Sequence, residues 1–250
     1  MVFRFKGFKI SEAVFSHFSS HFKVAQVERP GVENMSFLRL SVMDSTNLIR
    51  PFSLDELKQA VWDCDSFKSP GPDGISFGFI KQFSMKMKDD FMRFLTEFHC
   101  NGKLTKWVNA TFIALIPKVV SPQRLNDFRH ISLVGCMYKV LAKVLANGLH
   151  NVIGNVVSDS QSALVKGKQI LDGVLIANEA VDEARRRNKE MILFKVDFEK
   201  AYDVVDLHYL DIVMVKMNFP TLWRNWISKC VGTATASVLV NGSSTEEFPI

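Results

Sequence analysis

The carboxylate of Asp197 stands at the end of an apolar run and is the clearest candidate for chemistry in this sequence. The run from Met191 to Val196 predicts a buried strand, which would place Asp197 at the rim of a sheet, where a metal ion or a phosphate can reach it. Tyr202 follows five residues later, and Asp203 and Asp206 fall in a predicted helix, where we interpret them as helix-terminus charges. A solvated or helix-capping carboxylate is the alternative interpretation of Asp197.

Two basic residues, Lys118 and Arg129, lie on either side of a short connecting segment. Residues Thr111 to Ile116 form a β-rich run that Pro117 ends, and Lys118 follows at once. A strand, a loop and a returning segment would bring the two cations together. This arrangement suits a triphosphate, because ammonium and guanidinium groups donate charge-assisted hydrogen bonds to phosphate oxygens. Two separately solvated basic side chains are the alternative.

Helical patterns account for much of the remaining chain. Ser53-Leu-Asp-Glu56 is a capping box that predicts the start of a helix. Asn101-Gly102 predicts a helix end, Asn241-Gly242 predicts a hairpin turn, and the prolines and glycines of Ser69–Gly74 predict a rigid turn. Apolar periodicity predicts further helices near residues 10–22, 79–98, 134–152, 170–187, 207–217 and 221–231, and a strand near 237–240.

Composition and charge narrow the class of protein. The chain has 250 residues, 47% of them hydrophobic, which favours a globular fold. Its net charge of +5 mildly favours a polyanionic partner, and an ordinary basic soluble domain is the alternative. The four cysteines form no Cys-x-x-Cys pair, which argues against structural zinc and a disulfide framework and fits a reducing compartment. His17 and His21 stand one helical turn apart without an acidic or thiol ligand, so we do not interpret them as a metal site. We find neither a signal peptide nor a bilayer-spanning run, and we expect an intracellular protein of the nucleus or cytoplasm with no membrane partner.

Several segments resemble, in order, the motifs of reverse transcriptases from LINE-type (non-LTR) retrotransposons, in particular those of plants. Phe194–Asp203 resembles the first carboxylate motif over ten consecutive positions. Ala110–Lys118 and Asn126–Leu133 resemble the two fingers motifs, and Ser158–Gly173 resembles the motif that follows them. Lys68–Gly74 resembles the upstream signature of the same group, for which we expect a role in turn geometry and template entry.

The resemblance implies a metal-dependent nucleotidyl transfer centred on Asp197. Such a reaction needs carboxylates that hold two divalent ions about 3.5–4 Å apart. By resemblance, Asp197 is the catalytic, metal-binding carboxylate, the backbone carbonyl of Phe198 joins it, and the metal is Mg²⁺. Tyr202 would pack under the incoming sugar and obstruct a 2′-hydroxyl. A core aromatic at a strand–helix junction is the alternative for Tyr202.

The resemblance also implies the partners. Lys118 and Arg129 would bind the nucleotide, a deoxynucleoside triphosphate. An RNA template and a DNA primer would be the nucleic acids, with Gln161, Lys166 and Lys168 contacting template backbone or base edges. Solvated polar loop residues are the alternative for these three. The oligomeric state stays open.

The expected fold is α+β, with helix-rich fingers and the start of a right-hand polymerase palm whose small antiparallel sheet begins with the Asp197 strand. We expect a linker or N-terminal extension with one amphipathic helix at residues 1–50, fingers and template-contacting region at 51–190, and a partial palm at 191–250. The second carboxylate motif, an aromatic-Ala-Asp-Asp, does not occur in the 250 residues. We therefore expect a truncated protein that is inactive by itself.

The sequence also departs from the family pattern. His130 stands where the pattern has Pro, Gly148 where it has Arg, Val204 where it has Ser, and Gly167-Lys168 where it has Asn-Arg. None of these changes removes a proposed catalytic group. Together they suggest a copy under weak constraint.

Two rival functions come from other classes. The chain is alternatively a non-catalytic nucleic-acid-binding fragment, which salt-dependent RNA binding without nucleotide incorporation would indicate. The second rival is a decayed and poorly folded retroelement product. A cooperative thermal transition would argue against it. Group II intron maturases share the palm chemistry, but the Ser69–Gly74 signature favours the retrotransposon.

Overall fold

The computed structural model describes residues 8–22, 31–158, 161, 167, 169–194, 196 and 205–250. Runs of helices and runs of strands follow one another along these residues, the order typical of an α+β fold. The helices are α1 (Phe8–His21), α2 (Val42–Leu48), α3 (Leu54–Asp63), α4 (Phe77–Gln82), α5 (Ser84–Asn101), α6 (Cys136–His150), α7 (Ile170–Arg186), α8 (Leu207–Lys216) and α9 (Thr221–Gly232). The strands are β1 (Ala110–Pro117), β2 (Phe128–Val134), β3 (Thr235–Val240), β4 (Ser243–Ser244) and β5 (Phe248–Pro249). The predicted helix-rich α+β class is confirmed.

The chain forms two compact units, and each of them combines separate stretches of sequence. The first unit contains residues 1–28, 49–146 and 221–250. The second contains residues 29–48 and 147–220. The five strands of the described residues all belong to the first unit, and so do Lys118 and Arg129.

The sheet of the first unit is mixed rather than purely antiparallel. Its strand order is β2-β1-β3-β4, and β5 also pairs with β3. β1 pairs with β2 in antiparallel fashion and with β3 in parallel fashion. The far edge of β3 pairs with β5 at Thr235–Ala236 and with β4 at Leu239–Val240. The predicted strand near 237–240 and its turn are confirmed, since Asn241 and Gly242 have φ of 53° and 84° between β3 and β4.

Helix α1 covers one face of this sheet. Val14 and Phe18, one turn apart on α1, pack with Ile113 of β1, Val238 of β3 and Phe248 of β5. None of these five side chains is more than 5% exposed, so this face forms a dry core. The predicted amphipathic helix near residues 10–22 is confirmed, and its apolar stripe is what binds it to the sheet.

A helical layer makes up the rest of the first unit. Its core contains buried apolar side chains from α3, α4, α5, α6 and α9, including Val61, Ile80, Leu95, Leu141 and Trp226. The capping box is confirmed: Ser53 Oγ accepts from the Glu56 N–H, and the Ser53 N–H donates to the Glu56 carboxylate at 2.8 Å. Gly102 ends α5 in the left-handed region with φ of 59°, as predicted.

One carbonyl joins the helical layer to the sheet. The carbonyl of Cys230, near the end of α9, accepts from Asn109 Nδ2 at 3.0 Å and from the Tyr138 hydroxyl at 3.0 Å. Asn109 precedes β1 and is 5% exposed, and its Nδ2 also donates to Thr233 Oγ1. A buried amide that satisfies both of its donor hydrogens fixes its neighbours closely, because leaving either donor unsatisfied costs about 1–3 kcal/mol.

The second unit is assembled around the end of α8. Asn218 adopts a left-handed φ of 63° after α8, and its Nδ2 donates to the Leu40 carbonyl. The Leu40 N–H donates to the Met217 carbonyl at 2.9 Å, and Asn155 Nδ2 donates to Asp44 Oδ2. The two bonds at Leu40 hold the segment before α2 against the end of α8, and the bond from Asn155 holds α2 itself.

Two of the predicted elements are wrong in the described residues. The expected buried strand at 191–196 has no strand geometry at 191–194 or 196, and Ile192 is 94% exposed and Phe194 86% exposed. The physical reason is that a strand needs a hydrogen-bonding neighbour, and no strand of the described residues pairs with this segment. The predicted continuous helix at 79–98 divides into α4 and α5, because Phe83 leaves helical geometry with ψ of 17°.

The capping box supplies a pH-dependent contribution to stability. Partial burial pushes the pKa of Glu56 upward, but hydrogen bonds from Ser53 and Arg50 outweigh it and hold the pKa below its usual 4.5. A depressed folded-state pKa stabilises the fold above the unfolded value, and this contribution is lost as pH falls through the folded value. We expect Glu56→Ala to lower the melting temperature at pH 7, and the difference from wild type to shrink as pH falls below about 4.5.

Thermal unfolding followed by circular dichroism between pH 3 and pH 7 measures this effect. Asp89→Ala, which removes an exposed carboxylate from α5, is the control and should leave the pH profile unchanged. A pH-independent difference between wild type and Glu56→Ala would contradict the role assigned to the ionised carboxylate.

Candidate functional site

The β1–β2 hairpin brings Lys118 and Arg129 together, as the sequence predicted. Ile116 of β1 lies directly opposite Arg129 of β2, and the Lys118 N–H continues the ladder by donating to the Asp127 carbonyl at 2.7 Å. Residues opposite one another and residues two apart share a face of a sheet. Lys118, Ile116 and Arg129 therefore occupy one face of the hairpin.

This cationic face is opposite the face that α1 covers. Ile113 and Leu115 alternate with Ile116 along β1 and pack in the α1 core. On β2, His130 lies on the α1 side, with its ring centroid 6.2 Å from that of Phe18 and 6.4 Å from that of His21. Lys118, Arg129, Ile116 and Ile131 are all exposed, with Ile116 at 47% and Ile131 at 44%. The open face thus combines two cations with two apolar side chains.

The Lys118 ammonium is oriented by its own hairpin. Its Nζ donates to the Asn126 carbonyl at 3.1 Å. An ammonium carries three donor hydrogens, so two remain for another acceptor. The guanidinium of Arg129 presents five donors in a planar fork that suits two phosphate oxygens at once. One compact cation and one fork on a single face can bind adjacent phosphate groups.

Asp127 orders the loop that joins the two strands. Its Oδ2 accepts from the Gln123 N–H at 2.8 Å and from the Arg124 N–H at 2.9 Å. These two backbone hydrogen bonds, with smaller contributions from the charges of Arg124 and Lys118, hold the pKa of Asp127 below its usual value. This role of Asp127 was not predicted from the sequence. The available signal was an Asp three residues after Arg124, the spacing of a capping box.

The remaining predicted site residues lie elsewhere or outside the described residues. Asp197, Phe198, Tyr202, Lys166 and Lys168 fall outside the residues that the structure describes. Gln161 is described as an exposed residue of the second unit, where its N–H donates to the Ser158 carbonyl at 2.9 Å. The convergence of Asp197 with Lys118 and Arg129 therefore stays a prediction.

Asp206 is a helix cap, as the sequence indicated. Its Oδ1 accepts from the Tyr209 N–H at 2.9 Å in the first turn of α8. A carboxylate in this position also interacts favourably with the positive end of the helix dipole. Asp203, interpreted in the same way from sequence, falls outside the described part of the chain.

The described residues contain no complete metal site. No group of three or more His, Cys, Asp or Glu side chains within them is arranged to hold an ion. The two candidate ligands, Asp197 and the Phe198 carbonyl, fall in the part that is not described. No helix in this described part of the chain has the length and hydropathy to cross a bilayer.

Comparison with known proteins identifies the family. Residues 116–250, more than half of the chain, match the family described as reverse transcriptase (RNA-dependent DNA polymerase). The match begins at the end of β1 and includes Lys118, Arg129 and Asp197. The chain therefore belongs to the reverse transcriptase family, whose members generally use divalent metal ions and bind a nucleic acid template and deoxynucleoside triphosphates.

Two relatives specify the type. Over 195 residues the chain is 31% identical to the transposon TX1 uncharacterized 149 kDa protein of Xenopus laevis, a match that covers 78% of this chain and 15% of the relative. Over 183 residues it is 23% identical to the retrovirus-related Pol polyprotein from type-1 retrotransposable element R2 of Nasonia vitripennis, covering 72% of this chain and 17% of the relative. The chain is a reverse transcriptase domain of the non-LTR retrotransposon type. It spans less than a fifth of the length of either relative.

The order of the hairpin loop depends on Asp127. We expect Asp127→Ala to release the backbone N–H groups of Gln123 and Arg124 and to speed tryptic cleavage after Arg124 by roughly three- to tenfold, because local opening governs access to a protease. Limited proteolysis with mass spectrometry measures this rate. Asp90→Ala, which removes an exposed carboxylate paired with Arg93 on α5, is the control. Unchanged cleavage after Arg124 in Asp127→Ala would show that the loop is held by other contacts.

Proposed function

We propose that the intact protein is the RNA-directed DNA polymerase of a plant LINE-type retrotransposon, and that this chain supplies its fingers and the first part of its palm. The enzyme extends the 3′-hydroxyl of a DNA primer on an RNA template with deoxynucleoside triphosphates. The upstream signature Ser69–Gly74 supports the LINE-type assignment, and the family membership supports the reaction. By itself the chain is inactive, because the second carboxylate motif is absent from its 250 residues.

The observation that carries this proposal is the shared face of Lys118 and Arg129. A triphosphate brings several negative charges into a site, and catalysis of nucleotidyl transfer is mainly positioning and charge stabilisation. Lys118 and Arg129 supply two cations on adjacent strands of one rigid hairpin. The exposed side chains of Ile116 and Ile131 on the same face offer apolar surface for the nucleobase.

The other roles follow from the family resemblance. Asp197 and the Phe198 carbonyl hold Mg²⁺, which prefers oxygen ligands and, when bound, neutralises charge on the reacting phosphate. Tyr202 packs under the incoming sugar and excludes a 2′-hydroxyl. Gln161, Lys166 and Lys168 contact the template. The protein acts inside the cell, in the nucleus or cytoplasm.

Primer extension tests the reaction. A protein containing this chain together with the family's aromatic-Ala-Asp-Asp motif should extend a DNA primer on an RNA template with Mg²⁺, and Asp197→Asn should abolish extension without lowering the melting temperature. The 250-residue chain alone should bind RNA in a salt-dependent manner and add no nucleotide. Extension by the 250-residue chain alone would disprove its inactivity, and extension by the Asp197→Asn protein would disprove the role of Asp197.

Triphosphate binding tests the hairpin directly. We expect Lys118→Ala and Arg129→Ala each to weaken binding of a deoxynucleoside triphosphate to the chain by about tenfold or more, because a hydrogen bond to a charged group is worth about 1.5–3 kcal/mol. Arg129→Lys should recover part of the loss, since it keeps the charge but not the fork. Titration calorimetry at low ionic strength gives the affinities.

The control for net charge is Lys86→Ala, which removes an exposed lysine from α5 and should leave the affinity unchanged. If Lys86→Ala weakens binding as much as Arg129→Ala, the interaction is a general effect of charge. In that case the hairpin is not a triphosphate site.

A further inference from the structure

The turn Ser69–Gly74 lies against the junction between β2 and α6. Asp73 Oδ2 accepts from the N–H of Cys136, the first residue of α6, at 2.5 Å. The first N–H groups of a helix have no partner within it, so Asp73 caps a helix that begins 63 residues further along the chain. The other oxygen, Oδ1, accepts from the Ile75 N–H and closes the turn itself.

Gly71 brings the same turn into contact with the end of β2. A Cβ atom at Gly71 would lie 2.3 Å from the carbonyl carbon of Val134 and 2.5 Å from the nitrogen of Gly135. Both atoms belong to the backbone and cannot move aside as a flexible side chain can. Only glycine fits at this position, and the turn therefore touches the last residue of the strand that carries Arg129.

Two lysines one turn apart on α6 strengthen the attachment. Lys139 Nζ donates to the Ser69 carbonyl at 3.2 Å, and Lys143 Nζ lies 3.6 Å from Asp63 Oδ2. These contacts therefore bind Asp63, the last residue of α3, and Ser69, the first residue of the turn, to α6. Lys81 of α4 also donates to the Cys64 carbonyl at 2.6 Å, which joins the residue after α3 to α4.

The thiol at the junction stays neutral beside Asp73. Burial, together with the hydrogen bond and negative charge of Asp73, raises the pKa of Cys136 to about 12. No thiolate therefore competes with the carboxylate for the N–H of Cys136 near neutral pH.

We infer that the Ser69–Gly74 turn is a positioning element for the nucleotide-binding hairpin, and that Asp73 is its principal positioning residue. Asp73 holds the first turn of α6 and, through Gly71 and Val134, the C-terminal end of β2. The orientation of Arg129 depends on that anchor, because β2 pairs with β1 alone among the described strands. This inference rests on the proposed role of Arg129, whereas the anchoring of β2 is tested separately.

Hydrogen exchange tests the anchor in the 250-residue chain. We expect Asp73→Ala to speed amide exchange in β2 and in the first turn of α6 by roughly five- to tenfold, with α5 unchanged, because losing a cap favours local opening. Asp73→Asn keeps an oxygen acceptor and should restore slow exchange. Asp65→Ala is the matched control, since Asp65 accepts from the Phe67 N–H two residues ahead, as Asp73 does from Ile75. It should leave β2 unchanged.

Affinity for a deoxynucleoside triphosphate tests the consequence. Asp73→Ala should weaken binding by about threefold or more, and Asp73→Asn should rescue it, because the Asp73 carboxylate lies at the far end of β2 from Arg129 and acts only through the strand. If Asp73→Ala does not fold, Lys139→Ala removes one contact of the same turn and should give a smaller change of the same kind. Wild-type exchange in β2 of folded Asp73→Ala, or failure of Asp73→Asn to rescue it, would overturn the anchor.

The two proposals fail in different ways. Fast exchange in Asp73→Ala with undiminished triphosphate affinity would overturn the positioning role while leaving the hairpin as the binding site. Absence of triphosphate binding by the wild-type chain would disprove the proposed hairpin function, and with it the positioning role. The hydrogen-exchange measurement would then still test whether the Asp73 turn anchors β2.

Discussion

The two-sided pairing of β1 is the constraint on which the first unit depends. β1 pairs with its sequence neighbour β2 on one edge and, in parallel, with β3 from the end of the described chain on the other. The parallel ladder sets Ile113 beside Val238 in the core beneath α1, and it fixes which face of the hairpin is left open. If β1 were shifted by one residue, Ile113 and Leu115 would move from the core to the open face, and Ile116 would move to the core. The position of the cations is therefore set by the burial of the opposite face.

The bond network at Cys230 adds the helical layer to this arrangement. Its carbonyl receives the amide of Asn109, just before β1, and the hydroxyl of Tyr138 on α6. Because α9 leads directly into β3, the same site connects both ladders of β1 to the helices. A buried polar junction of this kind stabilises one particular arrangement, since any other would leave its donors unsatisfied.

Local signals in the sequence predicted local structure well. The capping box at Ser53, the left-handed Gly102 and the Asn241-Gly242 turn each depend on a few neighbouring residues, and all three are confirmed. The proximity of Lys118 and Arg129 was predictable because a hairpin is the shortest connection between two strands. The parallel pairing of β1 with β3 was not, because it joins distant segments through backbone groups that every residue has. The strand predicted from Met191–Phe194 was wrong for the same reason. β propensity shows only that a segment suits a sheet, and the sequence does not show which other strand would pair with it.

The β1–β2 hairpin is held at one end and extends freely from the sheet at the other. Its root, at Val134 and Cys136, is fixed by the turn around Asp73 and by the sheet, while its tip, from Lys118 to Asp127, extends beyond the ladder shared with β3. Along β2 the distance from root to tip is about 20 Å, at roughly 3.3 Å per residue. A rotation of only 5° at the root would move the tip by nearly 2 Å, more than half the length of a hydrogen bond. A small rotation at the fixed end of the hairpin therefore produces a large displacement of Lys118 and Arg129 at the other end.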